Sequence, residues 1–132
     1  MGLREDIYWL AGILEGEACF IAKKYQHGKY QHRQLRIGVE MCDKDIVERI
    51  KKITKATANV TLRNARPNRK HRPRYTINLN GARAIQWAQT IYPLMGERRQ
   101  TAIREMIKIW KEFKPRGMKS CHYPIEEYRG VK

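Results

Sequence analysis

No run of about 18 apolar residues occurs in this 132-residue chain, which argues against a membrane-spanning helix. The first residues lack a basic-then-apolar leader, so a soluble intracellular protein is expected, in cytoplasm, nucleoid or an organelle matrix. Cysteine is scarce. Cys19, Cys42 and Cys121 are odd in number and form no CxxC pair, which argues against a disulfide framework, a zinc site of that spacing or dithiol redox chemistry. Acidic residues are also few: 13 Asp and Glu face 28 Lys and Arg, a net charge of +15 that points to a polyanionic partner, nucleic acid before a membrane surface.

What is present reads as one α+β domain, because the apolar period switches repeatedly between about 3.6 and 2. A first helix is expected from Glu5 to Gly16, with Glu5 and Asp6 well placed in its first turn. A strand from Cys19 to Gln26 leads through a His27-Gly28-Lys29 turn to a second strand, Gln34 to Cys42, where Leu35, Ile37, Val39 and Met41 alternate with polar residues and Gly38. Asp43 suits the N-cap of a second helix striped by Ile46, Val47, Ile50 and Ile53. Strands Ala58–Ala65 and Arg72–Leu79 flank a basic loop, and Asn80 caps a third helix through Tyr92, ended by Pro93. A last helix runs from Glu97 to Phe113 with Ile103, Ile107 and Trp110 inward. The domain is thus residues 1–113, and residues 114–132, with two prolines and two glycines, form a basic tail.

Strand parity separates a core face from a free one. With Phe20 and Ala22 inward, the free face carries Ile21, Lys23, Tyr25 and His27, then Gln34, Arg36, Gly38 and Glu40. The third strand adds Thr61 and Arg63, burying Val60 and Leu62; the fourth adds Arg74, Thr76 and Asn78, burying Tyr75, Ile77 and Leu79. Arg, Asn and Gln are the side chains that read base edges in a major groove. Arg66, Arg69, Lys70 and Arg72, with Lys114, Arg116 and Lys119 of the tail, suit phosphate contacts that supply affinity without sequence information. A solvated sheet face and ordinary solubilising charge are the bland alternatives.

The most informative segment is Leu10-Ala11-Gly12-Ile13-Leu14-Glu15-Gly16-Glu17-Ala18. Gly12 and Gly16, four apart, leave a helix face nearly bare, and each costs the helix about 0.5–1 kcal/mol, which suggests a close approach of another backbone. Glu17 falls at the helix C-terminus, where a carboxylate is unfavourable unless a cation joins it. The alternative is an amphipathic core helix with a stray surface glutamate.

This string resembles the signature of the LAGLIDADG homing endonucleases, with glutamates for both aspartates of the name motif and Ala18 for its last glycine. The resemblance spans residues 3–113 and implies an αββαββα domain whose four-stranded antiparallel sheet is a DNA saddle with helices on the opposite face. One motif copy implies a homodimer packed through Trp9, Ala11, Gly12, Glu15 and Gly16. It further implies site-specific double-strand cleavage of a long, roughly palindromic DNA target by metal-dependent phosphodiester hydrolysis, leaving short 3′ overhangs. The resemblance puts Mg²⁺ or Mn²⁺ on Glu17 with main-chain oxygen such as that of Gly16. It assigns Asp43 to the water network near the metals. The family's basic residue before the last helix falls on Glu97 here, so one of the two arginines that follow, Arg98 or Arg99, is taken for that role, with Arg98 preferred. Alternatives are a maturase acting on intron RNA and a non-catalytic DNA-binding protein on the same fold. The chain carries no splicing-domain sequence, as expected of a free-standing or intron-borne product.

Overall fold

Apolar residues at 7, 10, 11 and 14 form one helical stripe, and the computed structural model buries all four within helix α1 (Leu3–Glu17). Each fully buried Ile or Leu here contributes roughly 1.5–3 kcal/mol. The structure describes residues 2–56, 59–63 and 73–112, with the backbone alone for His27 and Arg63. After α1 come β1 (Ala18–His27), β2 (Tyr30–Met41), α2 (Lys44–Thr54), β3 (Thr61–Arg63), β4 (Arg74–Asn80), α3 (Gly81–Ile91), a 3-10 turn at Tyr92–Leu94 and α4 (Glu97–Glu112). The order is the expected αββαββα with a fourth helix after α3. The basic loop 66–71 and residues 114–132 lie outside the described residues.

The strands form an antiparallel sheet in the order β1-β2-β4-β3. Leu35, Ile37, Val39, Ile77 and Leu79 turn one sheet face to the core, where Val47, Ile50 and Ile53 of α2, Ile85, Trp87 and Ile91 of α3, and Ile103, Met106 and Ile109 of α4 cover it. The sheet is therefore helix-clad on one side only. Thr54 is the buried polar exception: its hydroxyl donates to Ile50 O (2.7 Å), and Arg83 and the Trp87 indole donate to its carbonyl (3.0 and 3.2 Å). The last two bonds satisfy a carbonyl that the end of α2 leaves without a helical partner.

Several boundaries and faces differ from the sequence expectation. β2 begins at Tyr30 rather than Gln34, because β1 offers partners as far as His27↔Tyr30. Gly28 (φ +62°) takes the first position of the two-residue turn, where a left-handed backbone suits glycine. Leu62 is 50% exposed rather than buried, since it opposes Tyr75 on a three-residue edge strand. In α4 the fully inward residues are Ile103, Met106 and Ile109, while Ile107 and Trp110 lie at the margin of the core. Pro93 sits inside the 3-10 turn after the end of α3, where its fixed φ fits. Asp43 and Asn80 hold their N-cap positions in extended backbone, but neither side chain bonds the helix it precedes.

Candidate nucleic-acid interface

The unclad sheet face is concave. Its central rows are set by register: Ile21 opposes Arg36, Gly38 lies between Cys19 and Asn78, and Glu40 and Thr61 flank Thr76. These side chains line a groove of about 630 Å³, and Glu17, the last residue of α1, stands at its rim as an exposed carboxylate. The groove is polar on a strand scaffold. Gly38 explains how its floor stays flat: a Cβ there would come within 2.7 Å of Asn78 Oδ1, so the missing side chain is the space in which the Asn78 amide lies. Beside it the Arg36 Nε is buried, with no hydrogen-bond partner among the described residues. A buried donor left unbonded costs about 1–3 kcal/mol, which an acceptor entering the groove would recover.

Helix geometry delivers Glu17 to this place, and the start of α4 holds the helix end there. The Glu15 carboxylate accepts the Gly96 N–H (3.2 Å), and a Cβ on Gly96 would come within 2.7 Å of that same carboxylate. Arg99 donates through Nε to the Glu15 carbonyl (3.2 Å) and lies 5.4 Å from the Phe20 ring centroid. A guanidinium on the Glu15 carbonyl counters the negative end of α1. The sequence offered Arg99 only as the second choice, after Arg98, for the basic residue of the site.

Structural comparison gives this arrangement a context. The homing endonuclease I-CvuI, solved in complex with the I-CreI target in the presence of 2 mM Mg with the DNA not cleaved, matches with a TM-score of 0.60 and 18% identity, over 81% of this chain and 67% of that one. The archaeal intron-encoded homing endonuclease I-Vdi141I, solved complexed with DNA, matches with a TM-score of 0.57 and 10% identity, over 96% of this chain and 94% of that one. This chain has the LAGLIDADG homing endonuclease fold. No protein-family model matches its sequence, and no curated protein matches it.

On the LAGLIDADG fold the expected residues separate by position. Glu17, Ile21, Arg36, Gly38, Glu40, Thr61, Thr76 and Asn78 are brought together in the groove. Lys23, Tyr25, Gln34 and Arg74 share its face by strand parity but lie farther out along the strands. Asp43 and Arg98 are exposed and do not line the groove within one chain. The His27 and Arg63 side chains and Arg66, Arg69, Lys70 and Arg72 lie outside what the structure describes. Of the residues assigned to subunit packing, Gly12 and Gly16 are exposed, and a Cβ on either would meet nothing within 4 Å. Ala11, by contrast, is 4% exposed and faces its own chain's core. Trp9 is half-buried under the Arg49 guanidinium, 4.0 Å from its ring centroid.

Proposed function

We propose that this chain is a site-specific, divalent-metal-dependent DNA endonuclease that works as a homodimer. The observation that carries the reading is that the Glu17 carboxylate lines the same polar sheet groove as Arg36, Thr61, Thr76 and Asn78. Arg36 and Asn78 suit guanine and adenine edges in the major groove, and the Arg36 Nε is a donor for which duplex DNA supplies an acceptor. The net charge of +15 favours a phosphate backbone as the larger part of the affinity.

The donors at the groove end fit a hard cation. Glu17 offers a carboxylate, and the Gly16 carbonyl belongs to the last helical turn, which leaves carbonyl oxygens without i+4 partners. Among the described residues no three His, Cys, Asp or Glu cluster as a complete site, so one chain would share the ion with DNA phosphate and a second copy. When bound, Mg²⁺ or Mn²⁺ would activate water and neutralise charge on the leaving oxygen. The chain's own part is orientation. Arg99 fixes the end of α1, Glu15 ties it to α4, and the strands set the height of the scissile phosphate above Glu17. Asp43 and Arg98 would act from the second copy's side or through bound water, Asp43 by ordering it and Arg98 by countering phosphate charge.

Two glycines on an open helix face fit a second α1 at short range, which would bring two Glu17 carboxylates together. Glu17→Gln keeps the size of the side chain and removes its charge. Cleavage of a preferred site, selected from a pool of randomised duplexes with Mg²⁺, should fall below detection while binding to that site stays within about threefold, a change of roughly 0.6 kcal/mol. Cleavage by the variant at the wild-type rate would remove Glu17 from the chemistry.

A further inference from the structure

The β1–β2 hairpin outruns the sheet. Pairing of β2 with β4 starts at Arg36, whereas pairing of β1 with β2 continues to His27↔Tyr30. Residues Lys23–His27 and Tyr30–Gln34 therefore form a two-stranded arm beyond the end of β4. Two strands alone are marginal in water. One face of the arm continues the groove with Lys23, Gln34 and a Tyr25–His32 pair stacked at 5.3 Å.

The other face is held by the end of α4. Arg33 donates through Nη1 to the Trp110 carbonyl (2.9 Å), and its guanidinium lies 4.1 Å from the Trp110 ring centroid. That carbonyl is among the last four of α4, which lack helical partners and carry the negative end of the dipole. Alongside, Lys24 and Glu112 form a 2.8 Å ion pair, which raises the lysine pKa and lowers that of the glutamate. Lys24 and Arg33 are cross-strand partners, so both strands are gripped at one level.

We propose that this Arg33–Trp110 and Lys24–Glu112 brace is a positioning device that fixes the arm along duplex DNA and so sets specificity at the outer base pairs of the target. The inference rests on the DNA-binding reading above. Five residue pairs at roughly 3.4 Å reach about 17 Å, the rise of about five base pairs. The braced residues touch no base; they aim those that do.

The test uses the full chain as wild type, Arg33→Ala, Arg33→Lys, Lys24→Glu, Glu112→Lys and the Lys24→Glu/Glu112→Lys double variant, with thermal melting to confirm that each folds. Amide hydrogen exchange in the DNA-free protein reads the brace directly. Arg33→Ala should speed exchange in residues 24–33 by about fivefold and leave 36–41 unchanged, with Arg33→Lys in between. Selection from a pool of randomised duplex DNA should then show base preference lost at about the five outermost positions of each half-site and kept at inner ones. The double variant should recover what each single charge reversal loses, which a lysine acting on phosphate would not allow. Unchanged arm exchange, uniform loss at all positions, or a double variant no better than the singles would overturn the proposal. A wild-type protein that selects no sequence would defeat the endonuclease reading and the specificity claim together, while exchange would still decide whether the brace holds the arm.

Discussion

Arg36 and Gly38 show how little chemistry separates a structural strand residue from one suited to meet a ligand. Both sit on β2 with core-facing neighbours, yet Arg36 holds a buried donor without a partner among the described residues and Gly38 makes room for the Asn78 amide. Arg36→Ala should relax preference at one base position by about 1–3 kcal/mol. Gly38→Ala meets only the rotatable end of Asn78, so the fold should survive, but the displaced amide should blunt discrimination at a neighbouring position. Binding titrations over duplexes substituted one base pair at a time check both, and equal weakening on every sequence would contradict them. Glu17 belongs to the same scale. Its type and place were legible in the sequence because a carboxylate at a helix C-terminus after two spaced glycines has few structural uses. Arg99 was legible only as an alternative to Arg98, since nothing in a run of two arginines says which one turns back to the end of α1.

At the scale of elements, helices and central strands were legible where one periodicity dominated. The alternation of Leu35, Ile37 and Val39 and the Val47, Ile50 and Ile53 stripe of α2 fell where expected, with Ile46 only partly buried. The outer half of the hairpin was not. Tyr30, Gln31, His32 and Arg33 alternate in no apolar sense, because neither face of the arm meets the core and its support comes from α4 at long range. Leu62 misled for a related reason, as parity assigns a face but cannot say whether a helix covers the edge. Helix α1 offers a separate prediction. Gly12 has open space around it within its own chain, so Gly12→Leu should stabilise an isolated subunit by up to roughly 1 kcal/mol through helix propensity. The same leucine should block close helix packing. Sedimentation should show loss of the dimer without a fall in melting temperature, and a dimer that persists would move the subunit contact elsewhere.

For the whole molecule, charge and one-sided cladding act together. Helices cover the sheet on one side, the other is concave and polar, and among the described residues no helix is long and apolar enough to cross a membrane. The exposed thiol of Cys19 lies on that concave side, whereas Cys42 is exposed away from the groove. The chain thus carries a built-in footprinting pair. Duplex occupying the saddle should slow maleimide labelling of Cys19 severalfold and leave Cys42 reacting as before, which mass spectrometry of the labelled peptides can read. Equal protection of both thiols would place the nucleic acid elsewhere. The same position makes the protein sensitive to its handling. Oxidation of Cys19 to a sulfinate would put a fixed negative charge in that groove, so, on the proposed reading, a preparation aged without reductant should bind duplex DNA more weakly while keeping its fold.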